Sequence, residues 1–338
     1  MPSRSSNSVP LSTELTQAEI DRLVESLNSL QGGDLAVDAL AGCGERAIPP
    51  LRNFLMMGRP SVVHQPRQRA VRALAELGAK EILIEYLTKP KSIRDAAVRM
   101  GEEAVENAAA RALATWKTDR VYWALLGVAR LRVLPGVIEA LGSFRRPEAV
   151  PYLIDALGDD ISRRDAERGL RAIGEIARAA LVEAARTPDP SRSQESPSSL
   201  TRRRSALRIL ASLAPGPGVW LKLQALLRDE DPEVAVSAAC MALKLGAADD
   251  RQFAVRRLIE LLPAANWLLQ SEIEGSLLEH FPIAGAAIRQ EIQQRLQLPM
   301  PQQATDVTLR ALSNIARQVD ARRGATPQMG FTDGLKDL

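Results

Sequence analysis

Apolar residues recur along this chain at helical spacing, in short bursts that come in twos. Val150, Leu153, Ile154 and Leu157 stand at i, i+3, i+4 and i+7, and Ala166, Leu170, Ile173 and Ala177 repeat the spacing. Between the runs lie Gly158, Asp159 and Asp160, which supply a helix end, a turn and a new N-cap. Pro151 falls in a first turn, where a missing N–H costs nothing. The pattern predicts a helical hairpin. Neither helix is long enough to be stable in water alone, so the hairpin must stack on others like it.

The pattern does recur. With Gly174 as a mark, small or apolar residues stand eight, four and one positions before it. The same template fits Ala36, Leu40, Cys43 and Gly44; Ala70, Leu74, Leu77 and Gly78; and Ala238, Ala242, Leu245 and Gly246. Copies with substitutions end at Lys117, Gly142, Ala214 and Phe281. Successive marks lie about 34 residues apart, the period of helix-pair solenoids. An apolar first helix precedes each, as in IPPLRNFL, VPYLIDAL and VRRLIELL; LPGVIEAL, from Leu134, fits either place in a pair.

The segments AVPYLIDALGDDISRRDAERGLRAIGE and LLRDEDPEVAVSAACMALKLG resemble HEAT repeats, specifically the short bacterial, phycobilisome-lyase-like kind, over roughly residues 30–295. The resemblance implies an all-α, right-handed α-solenoid of about seven or eight helix pairs. It also implies a turn ladder, an aspartate in the turn within a repeat paired with an arginine early in the second helix. Asp159 with Arg163 fits a rung. Asp231 keeps the acid, with Ala235 where the base would stand, while Arg67 and Arg203 keep the base without the matching acid.

The solenoid is expected over 16–296. Thr16 and Glu19 form a capping box for an N-terminal capping helix over 16–30, after a disordered start, 1–15. The Ser- and Pro-rich stretch 188–200 reads as a mobile loop inserted in one repeat. Residues 297–338 read as a linker, a C-terminal helix at about 304–319 covering the last repeat, and a flexible tail. Met329, Phe331 and Leu335 leave a docking peptide as the alternative reading of that tail.

Composition narrows the chemistry. With 44 Lys and Arg against 41 Asp and Glu, no overall field drives the chain onto nucleic acid or an anionic membrane. No window approaches the roughly 18 uncharged apolar residues of a membrane span, and no signal-peptide core is present, so a cytoplasmic location is expected. Cys43 and Cys240 read as small buried hydrophobes, and the only histidines are His64 and His280. Without a metal-ligand motif, a phosphate loop or a nucleophile elbow, no catalytic residue, metal or cofactor is assigned. Asp159 and Asp160 read as capping residues rather than an acid/base pair.

One pattern exceeds background. Six positions before the marks stand Arg72, Arg111, Arg168 and Arg208, with Arg164 and Arg204 one turn earlier. At about 100° per residue these point away from the core. If second helices line the concave side, they form a discontinuous arginine column suited to carboxylates or phosphates. The expected role is a non-enzymatic adaptor or assembly scaffold that binds another protein through an acidic or extended segment. The resemblance adds a bilin lyase or chaperone subunit for phycobiliproteins as one alternative. Nucleic-acid binding or DNA repair through the same arginines is the other.

Overall fold

The computed structural model describes residues 15–189 and 195–324. They are helical throughout, with no strand among the described residues. The chain divides into two compact units, Met1–Ala177 and Arg178–Leu338.

The first unit stacks five helix pairs: α1 (Gln17–Ser26) with α2 (Gly33–Gly42), α3 (Ile48–Met57) with α4 (Gln65–Glu76), α5 (Lys80–Thr88) with α6 (Ala96–Leu113), α7 (Asp119–Ala129) with α8 (Pro135–Phe144), and α9 (Val150–Ala156) with α10 (Arg163–Ile173). The second helices pack side by side in the order α2, α4, α6, α8, α10. The second unit contributes α11 (Arg178–Arg186) with α12 (Pro197–Ser212), α13 (Pro217–Leu223) with α14 (Pro232–Leu245), and α15 (Ala248–Leu261) with α16 (Trp267–Glu279). Its last pair is α17 (Phe281–Arg295) with α19 (Val307–Gly324), joined through the short α18 (Met300–Thr305).

The marks fall within four residues past the end of a second helix, except Gly142, which lies inside the last turn of α8. The positions eight and four before it are buried in all eight copies, from Ala36 and Leu40 to Ile273 and Leu277. Four of the marks turn the chain through a left-handed backbone. Gly44, Gly78 and Gly174 take φ of 63°, 72° and 71°, a region that side chains with a Cβ disfavour, and Ala214 takes 46° without the glycine. At the other ends, Asp95, Thr118, Ser196, Asp231 and Asn266 accept the backbone N–H three residues on, closing the first turn. Gly142 and Gly169 set the approach of α8 to α10: a Cβ on Gly169 would stand 2.8 Å from the Gly142 Cα.

Several expected boundaries move. Among the described residues the pairs number nine, because the two end helices are members of the stack rather than separate covers: α1 packs on α2, and α19 on α16 and α17. LPGVIEAL is α8, a second helix flanked by α6 and α10. Thr16 and Glu19 do form the capping box, but the first helix stops at Ser26. The expected loop 188–200 ends at Ser196, whose hydroxyl caps α12 with Pro197 in its first turn, and Ser199 is buried with its hydroxyl accepting the Asp189 N–H at 3.0 Å. The C-terminal helix starts at Val307 rather than 304, because Asp306 accepts the Leu309 N–H at 2.9 Å, and it runs on to Gly324. The expected disorder of 1–14 and flexibility of the tail from 325 fall on positions outside the described residues.

Candidate functional site

The residues singled out for binding lie on second helices and divide between the units. In the first unit, Arg72, Arg111 and Arg168 are exposed, on α4, α6 and α10. Each meets a carboxylate: Arg72 to Asp34 at 2.7 Å, Arg111 to Glu139 at 2.7 Å and Arg168 to Asp165 at 3.0 Å. Arg72, helped by Arg69, holds the Asp34 carboxyl below the usual aspartate range. Arg164 is exposed at the start of α10. This face is therefore a mosaic of paired charges rather than a bare cationic column.

In the second unit the structure brings Arg204 and Arg208 together. Both line a cavity of about 780 Å³ formed by α12, α14 and the first turns of α16. Residues at spacings of three and four, Arg204, Leu207, Arg208 and Ala211, put one stripe of α12 into the wall. Ser237, Cys240, Met241 and Lys244 do the same for α14, and Leu268, Leu269 and Glu272 for α16. The outcome is a groove with an apolar floor and a charged rim. Arg204 is held in place by Asp231 and by Glu233 at 3.2 Å, and so contributes a fixed wall as much as a free cation. Burial raises the Glu272 carboxyl, against the pull of Arg208, and it pushes the Cys240 thiol up to about 11. That thiol is a poor nucleophile at neutral pH.

The turn ladder is corrected in its partners. Asp159 accepts the Ser162 N–H at 2.8 Å, which commits its carboxylate to the turn, and Arg163 pairs instead with Asp160 at 2.8 Å. Asp231 caps α14 through the Val234 N–H at 3.0 Å and takes Arg204 from the preceding second helix where no arginine follows it. Arg67 and Arg203 do find acids. Arg67 meets Glu102 of α6 at 2.6 Å, and Arg203 lies between Glu195, at 2.6 Å, and Asp229. Those partners stand too far along the chain for local spacing to reveal.

Arg67 belongs to a buried network that the sequence reading did not foresee. Glu102 accepts the Tyr86 hydroxyl at 2.5 Å and Lys91 at 3.1 Å, and Glu106 holds Lys91 and Arg132, each at 2.7 Å. Burial pushes the Glu102 carboxyl up, but the Tyr86 hydroxyl, Lys91 and Arg67 outweigh it and keep the group below its ordinary value. The cations belong to α4, to the loops after α5 and α7, so one helix carries the counter-charges for its neighbours.

Other candidate chemistry is dispersed. Trp220 is buried, its Nε1 donating to Asp250 at 2.8 Å, whereas Trp123 and Trp267 are exposed. Cys43 and Cys240 are half-buried rather than fully buried; the first donates to the Ala39 carbonyl at 3.2 Å. No group of three or more His, Cys, Asp or Glu positioned to hold a metal ion occurs among the described residues, and no described helix is long and apolar enough to cross a membrane.

Within each unit, stacked helix pairs with their second helices side by side define a helical-repeat scaffold. Residues 136–159, spanning α8, the turn and α9, match the family model of the PBS lyase HEAT-like repeat, so the chain carries a HEAT-like repeat of that type. No curated protein matches the chain.

Proposed function

We propose that this protein is a non-enzymatic adaptor or assembly scaffold, holding an acidic or extended segment of another protein against its second helices. The observation that carries the reading is the groove of the second unit, where Arg204, Arg208 and Lys244 surround a floor of leucines and a methionine. Arginine forks make bidentate contacts with carboxylates, and the apolar floor supplies the buried anchor that interfaces draw most of their energy from. Many modest contacts along a repeat face then add up to a stable hold.

The test pairs the wild-type chain with an Arg208→Glu, Lys244→Glu variant, each immobilised, and maps captured segments by cross-linking and mass spectrometry. Acidic segments retained by the wild type and lost by the variant, at unchanged helical circular dichroism, support the reading. Identical capture overturns it. Nucleic-acid binding draws on the same arginines, but the carboxylates at 2.7–3.0 Å from Arg72, Arg111 and Arg168 compete with phosphate for them. The bilin-lyase or chaperone reading has the repeat match at 136–159 as its support and draws on no residue of the groove.

A further inference from the structure

Four of the turns that join a first helix to its second in the first unit are cationic, in a chain that is nearly neutral. Residues 27–32, 58–64, 89–95 and 130–134 together hold six Lys and Arg, namely Arg59, Lys89, Lys91, Arg94, Arg130 and Arg132, and one acid, Asp95. That acid caps α6 through the Val98 N–H at 2.9 Å. Lys91 and Arg132 are held by Glu106, and Arg130 donates to the Tyr152 hydroxyl at 3.2 Å. Arg59, Lys89 and Arg94 are exposed, and among the described residues none of the three is in an ion pair. The same stretches, with the start of α6, project apolar side chains into solvent: Leu30, Val62, Val63, Met100, Leu131 and Val133 are 47–86% exposed. The fifth turn, with Asp159 and Asp160, stands outside this row.

These turns lie along one edge of the stack. Arg69, at the start of α4, donates to the Leu27 and Ser29 carbonyls of the first turn at 2.9 and 2.7 Å. The Ser61 carbonyl of the second turn presses on Gly101, near the start of α6, and leaves no room there for a Cβ. Glu106 of α6 then binds Lys91 of the third turn and Arg132 of the fourth, each at 2.7 Å. Four second helices side by side make the row about 25–30 Å long. Between the first and second turns opens a hollow of about 430 Å³, with Asn28, Asn53, Phe54, Met57 and Arg59 in its wall and no acid.

We propose that this edge rests on an anionic lipid bilayer, with Val62, Val63, Met100, Leu131 and Val133 entering the headgroup layer and Arg59, Lys89 and Arg94 meeting lipid phosphates. A protein partner would need a separate pocket for each isolated tip, and a nucleic acid would gain nothing from the tips beside its phosphate contacts. A fluid headgroup layer closes around each tip separately, and the cations beside the tips fit its negative surface charge. The hollow beside Arg59 suits the same boundary, offering amides and a cation to one headgroup and Phe54 and Met57 to the upper part of its acyl chains. Each cation near such a surface is worth about fivefold in partition, so the three together supply about a hundredfold. No residue of the second-unit groove takes part, so the adaptor role and this contact stand or fall separately. A scaffold held in this way gathers its partner at a membrane surface.

Flotation of the full-length chain with lipid vesicles tests the contact. Recovery with phosphatidylcholine vesicles containing about one-third phosphatidylglycerol, and not with phosphatidylcholine alone, is expected. The triple variant Arg59→Ser, Lys89→Ser, Arg94→Ser should lower the partition coefficient about a hundredfold, and Val63→Ser with Leu131→Ser about tenfold, both at unchanged helical circular dichroism. Every substituted side chain is exposed, so the fold is not at stake. A wild-type chain that fails to float overturns the proposal, as does binding that survives both variants. So does binding lost in the cation variant but kept in Val63→Ser, Leu131→Ser, because the edge would then have only a general affinity for polyanions. Retardation of DNA that depends on the same three cations, and not on Val63 and Leu131, is the signature of that case.

Discussion

At Gly174 the backbone holds φ of 71° with ψ of −130°, a conformation open in practice to glycine alone. Gly174→Ala is expected to lower stability by about 1–3 kcal/mol, although the added methyl meets open space, because the cost lies in the backbone and not in a clash. Ala214 presents the converse. It sits at φ of 46° at the matching position of α12, so Ala214→Gly relieves about 1–2 kcal/mol of strain and gives back about 0.4–1 through the looser unfolded chain. A net gain of about 0.5 kcal/mol should appear as a raised urea midpoint. These marks were legible in the sequence as a periodic glycine, and the structure supplies the reason for it. What was illegible was the pairing of the arginines, since Arg67 and Arg203 reach acids that local spacing does not place beside them.

Among the helices, α8 and α10 meet through bare backbone at Gly142 and Gly169, where the expected Ala166, Leu170 and Ile173 core stripe gave no hint of so close a contact. Gly169→Val should drive the two helices apart and cost several kcal/mol, read as early loss of ellipticity on urea titration, whereas Gly127→Ala, where an added Cβ meets nothing within 4 Å, should leave the midpoint unchanged or raise it. Helix α6 makes a second prediction. Glu102→Gln leaves Arg67 and Lys91 short of a counter-charge in a buried site, at an expected cost of about 3–5 kcal/mol at neutral pH. Because its neighbours hold the folded-state Glu102 carboxyl below the ordinary 4.5, its contribution is fully present above that value and is lost as pH falls through the lower folded-state one. The gap in stability between wild type and Glu102→Gln should therefore narrow on acidification below about 4.5, as followed by denaturant midpoints.

Across the chain, the all-helical stack was readable because burial follows one eight- and four-residue spacing through eight copies, from Ala36 to Leu277. The end helices were read as covers because each repeat was anchored on its mark, and α1 and α19 lie outside the first and last marks. The candidate binding face was readable in part: the periodic arginines do lie on second helices, yet the groove owes its floor to Leu207, Met241 and Leu268, which no charge pattern singles out. If the surface serves protein capture, raising salt from 50 to 200 mM should weaken binding only a few-fold, since apolar anchoring persists under screening. A protein neutralising six or more phosphates loses about a thousandfold over that range. Gel retardation and peptide anisotropy on the same preparation separate the two.

The counter-charges carried by α6 also bear on how such a chain is able to change its length. A solenoid commonly grows or shrinks by whole repeats, but excising α5 and α6 would strand Arg67 on one side and Arg132 on the other without Glu102 and Glu106. Duplicating that segment would bury a surplus of acids instead. Insertions and deletions of repeats are thus expected to be refused at this joint and resisted at the one between α12 and α14, where Arg203 and Arg204 reach Asp229 and Asp231 of the next pair.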